Sequence, residues 1–174
     1  MPETLNTSIE DLKLYPIFKD MTSEQVQKVK EYIRPQKFKK NSVIWDESDD
    51  GRDLLLLIEG TVKITQRLTL FPSDSEEGEY DKSLIILSAK DRPIFGEIAM
   101  CTNVPRSAAL TAETEVLGGL LSPESINILI KEDSAFGLLF YRNLSAILAE
   151  RLVQTNKNVL KLTTAFSLAL RHGA

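Results

Sequence analysis

Cysteine, histidine and tryptophan each occur once in the 174-residue chain. The single cysteine, Cys101, excludes an internal disulfide and provides no zinc-site spacing. Its type and its apolar neighbours predict a small buried side chain rather than a reactive thiol. The single histidine, His172, lies at the end of the sequence, which excludes a His-rich metal site and a conventional histidine-based catalytic triad in the core. We therefore expect no metal and no enzymatic activity.

Long hydrophobic runs are also missing. The longest aliphatic run, LLLLI at residues 54–58, has the length of a strand and is too short to cross a bilayer. The opening sequence MPETLNTSIEDLKLY lacks the basic start and the apolar stretch of a signal peptide, so we expect a cytoplasmic protein without a membrane partner. The net charge of −4 disfavours broad contact with nucleic acid, and the basic stretch 28–40 is predicted to be a solvated face.

The composition, with 43% hydrophobic and 26% charged residues, is typical of one globular domain. Near the N-terminus, Thr22 and Gln25 have the spacing of a capping box and predict a helix that ends near Ile33. Residues 37–121 then contain short β-branched or aliphatic runs separated by turn residues, which is typical of an all-β sandwich or barrel. The acidic segment PSDSEEGEYD, residues 72–81, is predicted to be a hairpin tip or loop.

The last third of the chain has a different pattern. Ser122 and Pro123 have the types expected at the N-cap and first position of a helix, which should run to about Lys131. A second helix is predicted from near Asp133 to His172, about 55 Å long. One globular domain does not need a helix of that length.

A heptad row accounts for the length of this second helix. Its members alternate spacings of four and three, as the a and d positions of a coiled coil do. They are Leu148, Leu152, Thr155, Val159, Leu162, Phe166 and Ala169, and Leu138, Tyr141 and Ser145 extend the row towards the N-terminus. We expect the first half of the row to pack against the chain's own β-domain and the second half to meet a twin chain, which predicts a parallel homodimer.

Residues 94–115 read IFGEIAMCTNVPRSAALTAETE and set one carboxylate, Glu97, and one guanidinium, Arg106, among apolar and small residues. Gly96 precedes a helix-compatible run and frees backbone N–H groups that attract anions, while Arg106 could face the same anion from the next strand. Glu97 would then accept hydrogen bonds from neutral hydroxyls. The stretch therefore predicts a site for a sugar phosphate with a free hydroxyl. The alternative is an ordinary turn in which Glu97 and Arg106 pair with each other or are solvated.

The segments FGEIAM (95–100), PRSAALTA (105–112) and LLLLIEGTVKI (54–64) together resemble the cyclic nucleotide-binding domains, the family that includes the ligand-binding domain of catabolite activator protein and the regulatory subunits of cAMP-dependent protein kinase. The resemblance covers residues 12–170. It implies an α+β fold, with an antiparallel β-roll or jelly-roll (double-stranded β-helix) flanked by N-terminal helices and a long C-terminal dimerisation helix. The implied single domain, 1–174, divides into N-terminal helices 1–36, a β-roll 37–121 with a phosphate-binding cassette 95–109, and C-terminal helices 122–172.

The resemblance also implies which residues bind the ligand. Arg106 and Ser107 would bind the exocyclic phosphate oxygens, Glu97 would hold the ribose 2′-hydroxyl, and Gly96 with the N–H groups that follow it would form part of the phosphate cradle. On the long helix, one polar pair would meet the purine. The full implied set is Phe95, Gly96, Glu97, Ile98, Ala99, Arg106, Ser107, Ala108, Thr155 and Asn156.

Some residues depart from the family pattern. Asn41 and Ser48 stand at turns where the family usually has glycine, and asparagine tolerates a left-handed backbone nearly as well. A glycine-aspartate pair before the cassette is replaced by Lys90-Asp91, followed by two extra residues, Arg92-Pro93. These departures affect the expected turn shapes and leave the anion site intact.

The function implied is a stand-alone sensor or regulatory module that binds a cyclic nucleotide, cAMP in preference to cGMP, and couples the cassette to the C-terminal helix. One alternative is a dimeric interaction scaffold of the same fold that has lost its ligand. A DNA-binding regulator is disfavoured by the acidic balance and because the sequence ends after RHGA, where DNA-binding members continue into a helix-turn-helix domain. Enzymatic turnover would need metals or an activated nucleophile, and the sequence has no such cluster. The downstream protein partner is unknown.

Overall fold

The computed structural model describes residues 5–69, 79–102 and 104–172. The chain begins with helix α1 (Ile9–Lys13), a 3-10 turn and helix α2 (Ser23–Tyr32). The predicted capping box is present, because the Gln25 amide N–H donates to Thr22 Oγ1 at 3.1 Å and the Thr22 amide N–H donates to the Gln25 side chain at 3.0 Å. The predicted end of this helix is confirmed, since Ile33 is its C-cap.

Short strands follow and form two four-stranded sheets in which the described pairings are antiparallel. The strands are β1 (Arg34–Phe38), β2 (Val43–Trp45), β3 (Leu54–Glu59), β4 (Thr61–Thr69), β5 (Glu79–Ser88), β6 (Ile94–Phe95), β7 (Ala109–Ala112) and β8 (Val116–Leu121). One sheet has the order β1-β8-β3-β6 and the other β2-β7-β4-β5. This architecture confirms the predicted antiparallel β-roll within an α+β fold. The division of the chain into one domain with the boundaries given above stays a prediction.

Some residues at which the sequence departs from the family pattern adopt a left-handed backbone. Asn41 has φ 64° and Ser48 has φ 78°, so both non-glycine residues adopt the left-handed backbone that glycine would accept without strain. Arg92, one of the two extra residues before the cassette, is also left-handed at φ 50°. Of the predicted loop 72–81, residues 79–81 belong to β5, and residues 72–78 lie outside the described residues.

Three further helices complete the fold. Helix α3 (Glu97–Cys101) interrupts the strands, and helices α4 (Pro123–Glu132) and α5 (Ser134–His172) follow them. Ser122 caps α4 as predicted, because its hydroxyl accepts the Ser125 amide N–H at 3.2 Å. At 1.5 Å per residue the 39 residues of α5 extend about 58 Å. No helix in the described part of the chain combines the length and the hydrophobicity needed to cross a bilayer.

The first half of α5 packs against the N-terminal helices through a face that differs from the predicted one. Phe136, Phe140 and Leu144 are at most 2% exposed and belong to the main core cluster, whereas Leu138 is 73% and Tyr141 47% exposed. The predicted packing of the heptad row against the chain's own domain is therefore wrong for Leu138 and Tyr141, whereas Leu148 is half-buried and packs against the core. The buried residues Phe136, Phe140 and Leu144 come one or two residues before the nearest heptad positions. Each residue turns the helix by about 100°, so the buried side chains lie on a different face from the heptad row.

The second half of α5 extends away from the core. Leu152, Val159, Leu162 and Phe166 of the heptad row are between 55% and 66% exposed in the single chain. Exposure of a large apolar row is the property that a contact with a second chain requires. The homodimer itself stays a prediction.

Cys101 is exposed, so its predicted burial is wrong. The five-residue helix α3 buries Glu97 and Ala99 near its start, and Cys101, its last residue, lies at the surface. Partial desolvation raises the pKa of the Cys101 thiol, and the negative charge of Glu97 raises it further. Both effects oppose formation of a thiolate, in line with the expectation that this thiol is unreactive.

The observed orientation of α5 predicts unequal effects for two neighbouring truncations. Phe140→Ala should lower the free energy of unfolding by about 3–5 kcal/mol because it leaves a cavity in the core. Leu138→Ala should change the free energy of unfolding by less than about 0.5 kcal/mol because Leu138 faces solvent. Urea unfolding followed by circular dichroism measures both values. Equal losses would mean that α5 is rotated relative to this description.

Candidate functional site

The cassette is built around Gly96, where β6 ends and α3 begins. Gly96 has φ 87°, a conformation that side chains rarely adopt, and it is the N-cap residue of α3. A Cβ at this position would lie 2.7 Å from the Asp53 carbonyl oxygen and would collide with the Arg106 guanidinium. Glycine is therefore required both for the turn and for the close approach of Arg106.

Arg106 is buried, with 6% of its surface exposed. Its Nη2 donates to the Asp53 carbonyl at 2.9 Å and its Nη1 to the Gly96 carbonyl at 3.5 Å. Its Cζ lies 4.0 Å from the centre of the Trp45 ring, and its Nε has no hydrogen-bond partner among the described residues. Burial lowers the pKa of Arg106, and the negative charges of Asp53, Asp49 and Glu97 oppose that shift. The side chain remains cationic because a guanidinium does not lose its proton in proteins.

Two of the three carboxylates that act on Arg106 are bonded to other arginines. The Asp53 carboxylate accepts a hydrogen bond from Arg34 Nη2 at 2.6 Å, and the Glu97 carboxylate accepts one from Arg151. The alternative in which Glu97 and Arg106 pair with each other or are solvated is therefore wrong. Arg34 and Arg151 each bond one carboxylate. Arg106, the third arginine of this group, bonds none among the described residues.

Glu97 is 3% exposed, and its partner Arg151 comes from α5, 54 residues further along the chain. Arg151 Nη1 donates to Glu97 Oε1, and Arg151 Nη2 donates to the Ile94 carbonyl at 2.6 Å. The sequence-based predictions missed Arg151. Two signals pointed to it, since a buried carboxylate needs a cationic or hydrogen-bonding partner and Arg151 lies one helical turn before Thr155, on the same face of α5.

A pocket of about 240 Å³ lies between the cassette and α5. Nine of the ten predicted site residues line it, namely Phe95, Gly96, Glu97, Ile98, Ala99, Arg106, Ser107, Ala108 and Thr155. The pocket is also lined by residues that the predictions did not include, namely Trp45, Ile64, Ala109, Leu110 and Arg151. Asn156 is exposed and does not line this pocket, because it is rotated by about 100° around α5 from Thr155. A contact between Asn156 and a ligand in a twin chain stays a prediction.

The pocket offers three kinds of contact. Arg106 supplies a positive charge that is bonded to no acid among the described residues, Glu97 supplies a hydrogen-bond acceptor, and Ile64 and Leu110 supply apolar surface. A molecule with an anionic group, a hydroxyl and a flat apolar part fits this combination. In the described part of the chain, no group of three His, Cys, Asp or Glu residues could hold a metal ion.

Comparison with known proteins gives matches that agree with this site. The family model of the cyclic nucleotide-binding domain matches residues 35–133. A cAMP-dependent protein kinase regulatory subunit from Dictyostelium discoideum is 26% identical over an alignment of 115 residues, and the match covers 62% of this chain and 33% of that protein. A CRP-like cAMP-activated global transcriptional regulator from Mycobacterium tuberculosis is 25% identical over 146 residues, which are 84% of this chain and 59% of that protein. The chain thus spans between one third and three fifths of the length of these relatives.

The structure is also similar to solved structures. A cyclic nucleotide-binding domain from Methylobacillus flagellatus superimposes with a TM-score of 0.73 at 22% sequence identity, covering 87% of this chain and 80% of that one. At this identity the similarity shows that the two chains share a fold.

The contact between Arg151 and Glu97 predicts strong energetic coupling in the protein without ligand. Arg151→Met leaves a buried carboxylate without its cation, and Glu97→Gln removes the charge that Arg151 pairs with, so each should destabilise the fold. The loss in the double variant should be smaller than the sum of the two single losses by about 1–3 kcal/mol. Urea unfolding of the four proteins measures this coupling.

The exposed pair Arg142 and Asp20 is the matched control, because the same type of cycle there should give less than about 1 kcal/mol. A coupling at Glu97 and Arg151 no larger than in the control would show that the two side chains are not paired in solution.

Proposed function

Because the chain belongs to the family of cyclic nucleotide-binding domains, we propose that it binds a cyclic nucleoside monophosphate in the pocket between the cassette and α5. The observation that supports this most is the buried Arg106, whose guanidinium is bonded to no carboxylate among the described residues and has an unpartnered Nε. Burial of a cation without a counter-ion is costly, and a bound phosphate would offset that cost.

In this proposal the cassette residues have the roles that the family resemblance implies. Arg106 and Ser107 bind the charged oxygens of the cyclic phosphate. Gly96 has no side chain that would collide with the Arg106 guanidinium. The N–H groups of Ile98 and Ala99 complete the phosphate cradle. Phe95 and Ala108 flank these groups as part of the pocket wall.

Glu97 accepts a hydrogen bond from the ribose 2′-hydroxyl in this proposal, and this contact connects the ligand to α5. Glu97 is bonded to Arg151, and Thr155 lies one turn further along the same helix at the pocket wall. A ligand that contacts Glu97 and Thr155 therefore changes the environment of Arg151 as well. We propose that the position of α5 relative to the cassette depends on the ligand in this way.

cAMP is the preferred ligand in the proposal. Both relatives are named for cAMP, and Thr155 with Asn156 supplies a polar pair suited to a purine edge. An asparagine amide offers both a donor and an acceptor, so Asn156 fits adenine or guanine. The two relatives are a regulatory subunit and a transcriptional regulator. We therefore propose that this chain has a regulatory rather than a catalytic role and no resident metal. It would act on an unidentified downstream protein.

Isothermal titration with cAMP and cGMP tests the proposal. Arg106→Ala should weaken binding by two to three and a half powers of ten, or about 3–5 kcal/mol, because the phosphate loses its charged partner in a buried site. Arg142→Ala, which removes an exposed arginine far from the pocket, should leave the affinity unchanged. A loss of less than threefold in Arg106→Ala would mean that the site lies elsewhere, and a wild type that binds neither nucleotide would favour the dimeric scaffold.

We also propose that two copies of the chain associate in parallel through the heptad row of α5. Phe166→Glu puts like charges across the contact and should give a monomer by light scattering. Leu168→Glu is the control, because Leu168 is 51% exposed and lies on the same helix outside the row. A dimeric Phe166→Glu variant, or a monomeric wild type, would overturn the proposed interface.

A further inference from the structure

The face of the Arg106 guanidinium is covered by the only tryptophan of the chain. Trp45 is the last residue of β2, and its ring centre lies 4.0 Å from Arg106 Cζ. The main chains of the two regions are also joined, since the Ser48 amide N–H donates to the Arg106 carbonyl at 3.0 Å and the Arg106 amide N–H donates to the Asp49 carbonyl at 2.9 Å. The loop that follows Trp45 is therefore bonded to both the N–H and the carbonyl of Arg106.

Stacking and hydrogen bonding use different parts of a guanidinium. Its N–H donors lie in the plane of the group, whereas the tryptophan ring contacts the flat face. The contact with Trp45 stabilises the cation and fixes its plane without occupying any of the five N–H donors. Two donors are directed at the carbonyls of Asp53 and Gly96, and Nε has no partner among the described residues.

A carboxylate in place of Trp45 would stabilise the same cation in a different way. It would neutralise the charge and occupy the donors that an anionic ligand needs. Asp53 is bonded to Arg34 and Glu97 to Arg151, and the Asp49 carboxylate accepts the Asp46 amide N–H at 2.8 Å. None of these three acids is hydrogen-bonded to Arg106 in the described structure. The stack therefore leaves Arg106 oriented, buried and still charged.

We infer that Trp45 is a positioning residue for anion recognition, which holds the Arg106 guanidinium in the orientation that binds the cyclic phosphate. The inference rests on the proposed function and adds a residue that acts through Arg106. A donor fixed before the ligand arrives loses less conformational entropy on binding, so the stack should raise affinity. A leucine at this position would fill part of the space and could not stack on the cation. Phenylalanine would keep an aromatic face.

The test compares Trp45→Leu with Trp45→Phe, each alone and combined with Arg106→Ala, in competition titrations of cAMP against a fluorescent cyclic nucleotide. Trp45→Leu should weaken binding by about tenfold and Trp45→Phe by less than about threefold. In the Arg106→Ala background, Trp45→Leu should have less than a twofold effect, because the group that it orients is gone. Melting curves followed by circular dichroism verify that each variant is folded at the titration temperature.

Ile64→Ala is the matched control, since Ile64 lines the same pocket and acts through apolar contact alone. It should weaken binding by the same factor with and without Arg106. If the losses from Trp45→Leu and Arg106→Ala simply multiply, or if phenylalanine and leucine are equally poor, Trp45 contacts the ligand directly and the positioning role is wrong. Wild-type affinity in Trp45→Leu would overturn the inference and leave the proposed function standing. A wild type that binds neither cAMP nor cGMP would overturn both.

Discussion

Arg106 is 6% exposed and its guanidinium stays charged, although in the described structure it is hydrogen-bonded to none of the three carboxylates whose charges act on it. A charge in that position has to be supported by other means, because its removal from water costs several kcal/mol. The surrounding fold supplies two carbonyl acceptors, an aromatic face and a glycine that leaves room for the side chain. These contacts come from the end of β2, the residue before β3 and the residue before α3. The arrangement leaves a buried positive charge that is bonded to no carboxylate among the described residues.

Two ion pairs maintain that arrangement from opposite sides. Arg34, at the start of β1, binds the Asp53 carboxylate, so that only the carbonyl of Asp53 is directed at Arg106. Arg151, on α5, binds the Glu97 carboxylate in the same manner. The first pair is largely exposed and contributes little stability by itself, whereas the second includes a carboxylate that is 3% exposed and depends strongly on its partner. The docking of α5 on the cassette and the charge of the pocket are therefore parts of one electrostatic arrangement.

Sequence reasoning succeeded where the determinants are local. The capping box of α2 is defined by neighbouring residues and is confirmed. The cassette residues between Phe95 and Ala108 lie together around one pocket, and their binding roles stay a prediction. Contacts between distant segments were not predictable in the same way. Arg151, the partner of Glu97, is 54 residues away in the sequence. Trp45, whose ring lies over Arg106, belongs to β2, and the pattern of side chains along this strand does not show that Trp45 contacts Arg106. The predicted orientation of α5 was wrong for a related reason. Two rows one or two residues apart fit the same helix, and only packing against the rest of the chain selects between them.

Helix α5 uses different faces along its length, and this limits how a ligand could act through it. Its first turns are fixed to the core by Phe136 and Phe140, its middle contacts the cassette through Arg151, and its last turns expose the row that includes Phe166. A ligand shifts such a helix only by the difference between its binding energies to the two positions of the helix. In the proposed complex, a ribose hydroxyl at Glu97 competes with Arg151 for the carboxylate or shares it. Under that proposal, the strength of this ion pair is one of the terms that decide how far a ligand shifts α5.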